Sequence, residues 1–180
     1  MSSVSLGPDS PRYGARDSAA QGAFTVGLLA GRQLDAAIAL SERVAEAPHW
    51  PRASWLALLD ASAPVERVAL AAESGGVLSG FLVASIVAGE AELESIVVAA
   101  EARRRGLGGV LLHALIEAAT VRKVTRLLLE VRASNGRALA FYLATGWREQ
   151  GRRPRYYADP EEDAVLMALD LPVSGVPCQP

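Results

Sequence analysis

Ile96-Val97-Val98-Ala99-Ala100-Glu101-Ala102-Arg103-Arg104-Arg105-Gly106-Leu107-Gly108-Gly109-Val110-Leu111-Leu112 decides how this chain is read. Three β-branched residues close a strand, a glycine-rich loop follows, and the loop opens into an apolar helix spanning Gly108–Val121. Backbone N–H groups at a helix N-terminus lack partners and sit at the positive end of the helix dipole, so they bind phosphate oxygens. Glycine lets such a backbone approach an anion closely, and Arg103, Arg104 and Arg105 add positive charge. The dinucleotide fingerprint G-x-G-x-x-G fails, because Leu111 stands where the third glycine belongs. A Walker A loop needs G-K-S/T, which is absent. The spacing that fits is Q/R-x-x-G-x-G/A, carried by Arg103, Gly106 and Gly108. On its residues alone the segment also reads as a glycine-rich turn with solvated arginines.

Upstream, the pattern is a meander. Phe24–Leu29 is a short strand, Gln33–Ala47 an amphipathic helix stopped by Pro48 and Pro51, and Arg52–Leu59 a second helix. Arg67–Ala72 and Val77–Val87 form strands joined through Glu73-Ser74-Gly75-Gly76, and Gly89-Glu90 turns into the strand Ala91–Val98. Downstream, strands and helices alternate: a strand at Arg126–Val131, a helix at Gly136–Ala144, then strands at Trp147–Gly151 and Asp163–Asp170. Leu127-Leu128-Leu129 reads as a central strand covered on both faces. The predicted fold class is α/β (α+β): a mixed, mostly antiparallel sheet of about seven strands with helices on both faces. Residues 1–22, rich in Ser, Gly, Pro and Asp, read as a disordered leader, 23–171 as one domain, and 172–180 as a loose tail.

Composition narrows the function classes. The formal charge is −2 and 51% of residues are hydrophobic, enough for a real core. Seventeen of the 18 basic residues are arginine. Residues 103–155 carry a local charge of +9 and the remainder −11. This asymmetry suits an anionic ligand and a cationic partner. Cys178 is the sole cysteine, and His49 and His113 are the two histidines, so no zinc cluster or disulfide framework is expected and no metal site is predicted. No apolar run suits a membrane span, and the N-terminus lacks the apolar segment of a secretory signal. A cytoplasmic protein is expected, not associated with membrane. Direct nucleic-acid binding is not expected, because no basic strand is rich in aromatics for base stacking.

Four further segments widen the pattern. Leu128-Leu129-Glu130-Val131-Arg132-Ala133-Ser134-Asn135 leads to Tyr142 in Ala140-Phe141-Tyr142-Leu143-Ala144-Thr145-Gly146-Trp147. The end carries Arg152-Arg153-Pro154-Arg155-Tyr156-Tyr157 and Glu162-Asp163-Ala164-Val165-Leu166-Met167. With the glycine loop, these resemble the GNAT N-acetyltransferase superfamily, and within it the RimI-type ribosomal-protein-alanine N-acetyltransferases. The resemblance runs from Glu92 to Leu171 and is weaker upstream, at His49-Trp50-Pro51.

That resemblance implies acetyl-CoA as cosubstrate and the N-terminal α-amine of a protein as acceptor, with the alanine of small ribosomal subunit protein eighteen as target. It implies that Ile96, Val97 and Val98 present backbone groups to the acetyl carbonyl and pantetheine arm. Arg103, Arg104, Arg105, Gly106, Leu107, Gly108 and Gly109 would hold the pyrophosphate, and Asn135 would contact the cofactor. Glu130 would be the general base and Tyr142 the general acid. The chemistry agrees: an α-amine has a pKa of about 7.7–8.0 and must lose a proton before attack. With no cysteine placed to carry the acetyl group, direct attack in a ternary complex is expected.

Other readings stay open. Glu130 equally suits a surface acid paired with Arg132 or Arg137, Tyr142 a core aromatic, and Asn135 a helix cap. Glu92 and Glu94, two apart on a strand and so on one face, form a rival pair. Glu92 is the second candidate base, and both acids, with Tyr156 and Tyr157, are candidates for binding a cationic peptide. The alternative acceptor is a lysine side chain, a polyamine or an antibiotic, and a non-catalytic ribosome- or RNA-binding module is a further alternative. A monomer is expected. The chain departs from the family pattern at Ala99-Ala100, where Asp-Pro is usual, and at Gly109, where a basic residue is common. It also has an extra residue near Pro154 and Arg155 where Asn is common.

Overall fold

Strand alternation builds two cores on opposite faces of one sheet. In the computed structural model, which describes residues 24–60 and 62–172, strand β2 spans Glu66–Ser74 and β3 spans Val77–Val87. Val68, Leu70, Leu82 and Ala84 turn to one side, where Leu107, Leu111 and Leu115 of helix α3 (Leu107–Val121) cover them. Ala69, Ala71, Phe81 and Val83 turn to the other. There they meet Leu34, Ala37 and Leu40 of α1 (Leu34–Glu42) and Trp55 of α2 (Arg52–Ala57). Trp55 is almost wholly buried, edge-on to Trp50 and Phe81 at 5.3 Å in each case. Burying each such large side chain stabilises the fold by about 1.5–3 kcal/mol.

The remaining elements are β1 (Thr25–Leu28), β4 (Glu90–Val98), β5 (Arg126–Arg132), α4 (Gly136–Ala144), β6 (Arg148–Ala158) and β7 (Glu161–Asp170). The sheet has seven strands in the order β1-β2-β3-β4-β5-β7-β6. Every neighbouring pair is antiparallel except β4 and β5. Tyr142 of α4 joins the α3-side core, and with α1 and α2 on the other face helices lie on both faces as the sequence predicted.

Two irregularities shape the centre. A bulge at Glu94 interrupts the β3–β4 register, Val83 pairing with Ser95 and Ala84 with Leu93. The extra residue reverses the facing of β4: Ala91 and Leu93 pack on the α3 side, Val97 on the α1–α2 side. Strands β4 and β5 then pair only at Glu90–Glu92 with Arg126–Leu128. Beyond those three pairs the strands part, and the sheet opens between its halves.

Several element boundaries differ from the sequence reading. Helix α1 ends at Glu42, not Ala47. Tight turns follow, with Val44 N–H donating to Ser41 O and Ala47 N–H to Val44 O, while the Ser41 hydroxyl donates to Pro48 O. Strand β6 runs to Ala158, so Arg153–Tyr157 is strand rather than loop. Pro154 is tolerated because β6 is a sheet edge and the register shifts between Arg153 and Tyr157. Leu127 and Leu129 are buried but Leu128 only half so, because the α1–α2 core contains no residue of β5. The predicted leader falls outside the described residues, as does the tail beyond Pro172. Among the described residues no helix is long and apolar enough to cross a membrane.

Candidate functional site

The opening between β4 and β5 has an anion cradle at one end. Gly106 is the N-cap of α3 with φ of +80°, a left-handed conformation in which a β-carbon is strained. No side chain caps this helix, so the first-turn amides of Leu107, Gly108 and Gly109 remain available to a ligand. Arg104 also takes a left-handed conformation, with φ of +59°. The three arginines are not equivalent. Arg103 donates from Nε to the Val98 carbonyl at 3.2 Å, and the Arg105 guanidinium lies 5.0 Å from the centre of the Phe24 ring. Gly108 serves packing as well: a β-carbon there would meet Phe141 Cζ at 3.1 Å. A pyrophosphate fits this donor set. Above the cradle, Ile96 and Val98 pack half-buried on the α3 side, and the β4 edge beyond Glu92 has no strand partner toward β5.

The other side of the opening is polar. Leu127, Leu129 and Val131 of β5 pack on the α3 side, which leaves Leu128, Glu130 and Arg132 facing the other way. Glu130 Oε1 lies 2.7 Å from Arg153 Nη1. Its ion-pair partner is therefore Arg153 on β6, neither Arg132 nor Arg137. The Tyr156 hydroxyl donates to Glu130, and that bond is the main reason its pKa is raised. The Arg132 guanidinium lies 4.1 Å from the Tyr157 ring centre, and burial, then the Glu130 charge, raises the Tyr157 pKa. Neighbours on a regular strand point to opposite faces. The register shift after Arg153, with Arg155 at φ of +51°, brings both tyrosines to the Glu130 side.

Glu92 and Glu94 share that face. Glu94 pairs with Arg67 at 3.2 Å. Glu92 forms no ion pair among the described residues. Burial raises its pKa, the charges of Glu130 and Glu94 raise it further, and Arg153 partly opposes them. Glu162 accepts from the Ser134 N–H and pairs with Arg132 at 3.2 Å. The Ser134 bond is the first cause of its lowered pKa. Asp163 accepts from the Arg155 N–H at 2.9 Å. These two acids thus brace the exit of β5 and the bulge of β6.

Tyr142 lies on the opposite side, 6% exposed, with ring centres 5.4 Å from Phe141 and 5.6 Å from Trp147. Burial holds its phenol far above the ordinary tyrosine value. The two candidate catalytic residues therefore lie on opposite faces of the sheet. Asn135 caps α4, its Oδ1 accepting from the Ala138 N–H at 3.1 Å. The sequence reading did not single out Arg153, Arg132, Arg67 or Glu162 for the site. Two-residue spacing along β5 places Arg132 beside Glu130, but Arg153 emerges only once β6 is seen as a strand. Among the described residues no cluster of His, Cys, Asp and Glu could hold a metal ion.

Residues 35–147 match the acetyltransferase (GNAT) family. The ribosomal protein bS18-alanine N-acetyltransferase of Salmonella typhimurium is 43% identical over 96 residues, 52% of this chain and 65% of that protein. The Escherichia coli protein of the same name is 42% identical over 98 residues, 53% of this chain and 66% of that protein. The matched segment thus spans just under two thirds of these relatives' length. The crystal structure of the ribosomal-protein-S18-alanine N-acetyltransferase from Escherichia coli superposes with a TM-score of 0.74 at 32% identity, covering 84% of this chain and 96% of that one. Ard1 from Thermoplasma volcanium shares the fold, with a TM-score of 0.72 at 22% identity over 83% of this chain and 98% of that one. A family match over more than half the chain, on a fold split between β4 and β5 above an uncapped helix, makes this protein a member of the GNAT acetyltransferase family.

Proposed function

We propose that this chain transfers acetyl from acetyl-CoA to the N-terminal α-amine of alanine on a protein. Small ribosomal subunit protein eighteen is the acceptor, and the enzyme acts as a cytoplasmic monomer. The observation that carries the reading is the opening between β4 and β5, with an anion cradle at Gly106–Gly109 and the Glu130 carboxylate on its other face. The names of the bacterial relatives support the acceptor.

Acetyl-CoA supplies an acyl group activated as a thioester. The residues of the chain bind it, orient it and move protons. Leu107, Gly108 and Gly109 amides, with Arg104, hold the pyrophosphate, where the helix dipole favours negative charge. Ile96, Val97 and Val98 offer backbone groups along the unpaired β4 edge to the pantetheine arm. Glu130 takes the proton from the acceptor ammonium, directly or through water, with Glu92 the alternative acceptor. As the amine nitrogen bonds the acetyl carbon and the C–S bond breaks, Tyr142, kept protonated by burial, is the donor that protonates the departing thiolate from the opposite side. Tyr156 and Tyr157 wall the acceptor entrance, and Glu92 and Glu94 supply negative charge to a basic peptide.

Mass spectrometry of protein eighteen after incubation with enzyme and acetyl-CoA tests the assignment. An added acetyl on the terminal alanine is the expected result. Acetylation of lysine side chains or polyamines alone would replace this acceptor with another amine. Absence of CoA binding by calorimetry would remove the enzymatic reading.

A further inference from the structure

The acceptor's ammonium must reach Glu130, and that carboxylate already holds a cation. The Glu130 side chain is 16% exposed, whereas that of Arg153 is 56% exposed, and the two meet at 2.7 Å. Arg153 reaches in from the sheet-edge strand β6, its guanidinium 5.5 Å from the Tyr156 ring centre. Among the described residues, two other carboxylates on this face are paired: Glu94 with Arg67, Glu162 with Arg132. Glu92 is the carboxylate left over, close enough to Glu130 and Arg153 for each to act on it.

A guanidinium and an alkylammonium present the same charge and the same kind of N–H donor to a carboxylate oxygen. A carboxylate accepts from more than one donor, but two cations drawn to one carboxylate repel each other, so the ammonium competes with Arg153 for Glu130. We propose that Arg153 is a specificity-determining residue: it fills the acceptor-ammonium position at Glu130 and swings aside when a competent acceptor enters. The exchange is cheap for Arg153, because an ion pair with one exposed partner on an edge strand contributes little and its head group is restored to water. It is unfavourable for an amine that brings nothing else. A peptide whose following residues also engage Glu92 and the tyrosine pair offsets the lost ion pair, and a small free amine does not. This inference rests on the acceptor reading proposed above.

Steady-state kinetics with a basic alanine-starting peptide test it. Arg153→Met frees Glu130, so KM for the peptide falls by roughly two- to fivefold, the range of an exposed ion pair. Arg153→Lys keeps a competing cation and stays near wild type. Methylguanidinium, which refills the position, inhibits Arg153→Met competitively against peptide and at lower concentration than it inhibits wild type. A residue serving structure alone would not create that inhibition. CoA affinity by calorimetry reports folding of each variant, and if Arg153→Met fails there, Arg153→Gln must show the same fall in KM. If wild type acetylates the peptide but neither neutral variant lowers KM, the inference is overturned alone. If wild type acetylates no alanine-starting peptide, the acceptor reading fails and takes this inference with it.

Discussion

Gly108 of the anion cradle packs directly against Phe141, the neighbour of Tyr142: a β-carbon on Gly108 would stand 3.1 Å from the ring's Cζ. The glycine therefore joins the glycine-rich loop to the helix carrying the candidate acid. Gly108→Ala should destabilise the wild-type protein, as overpacking typically costs about 1–3 kcal/mol against a helix-propensity gain of about 1 kcal/mol. In a Phe141→Ala background the same change should become neutral or stabilising. Urea unfolding of the four proteins in this cycle gives the coupling, and additivity would show that the two residues do not constrain each other.

Glu130→Gln and Tyr142→Phe should each lower kcat by about 10²–10⁴-fold, the usual contribution of a positioned acid or base. CoA affinity should stay unchanged, because neither residue belongs to the Gly106–Gly109 cradle. Single-turnover rates beside calorimetry check both halves. Full activity in either variant removes that residue from its proposed role.

Much of this site was legible before the fold was known, and the reason is local. The glycine loop, the strand exit at Glu130–Asn135 and the helix with Tyr142 are continuous segments whose spacing encodes their geometry. Two-residue alternation also puts Glu92 and Glu94 on one face, whereas the bulge that reverses β4 after Glu94 leaves no such mark in the sequence. The ion pair of Glu130 was not legible. Its nearest arginines in sequence are Arg132 and Arg137, yet Arg153 arrives through a long-range β5–β7–β6 arrangement. Pro154 and the extra residue obscured β6, since both break strand periodicity and a bulge absorbs them. The same bulge makes the tyrosine pair face one way.

Glu92 provides a pH test of the crowded acidic face. Its folded pKa is raised, first by burial and then by Glu130 and Glu94. Between the unfolded and folded values the native state holds the proton more tightly, so this group's effect on stability worsens as pH rises through that window. Glu92→Gln removes the effect. The variant should match wild type near pH 4 and exceed its Tm at pH 7.5. Equal Tm differences at the two pH values would show that the carboxylate is not strained by its neighbours. Substantial retained turnover would also favour Glu130 over Glu92 as the base.

Tyr142 gives the converse test at high pH. Burial raises its phenol, so above the ordinary tyrosine value of about 10 the unfolded chain ionises while the folded one keeps its proton. The contribution is fully present below that pH and is lost as pH climbs beyond it. Denaturant midpoints of wild type should fall more steeply than those of Tyr142→Phe between pH 9.5 and 11. Parallel curves would mean that the phenol is not held in an apolar setting.

Asn135 separates a cap from a cofactor contact. Its Oδ1 accepts from the Ala138 N–H, so Asn135→Ala should cost about 1 kcal/mol of stability, the ordinary value of a helix N-cap. Asn135→Asp keeps an acceptor at the same place and adds negative charge where the α4 dipole welcomes it, so stability should hold or rise. Its effect on CoA is the informative one. If the amide N–H₂ also meets the cofactor, the aspartate loses that donor and repels an anionic ligand, and CoA affinity should drop by about tenfold while urea stability is unchanged. Were affinity unaltered in Asn135→Asp, the residue would be a cap and nothing more, and the cofactor contacts would end at the β4 edge and the Gly106–Gly109 cradle.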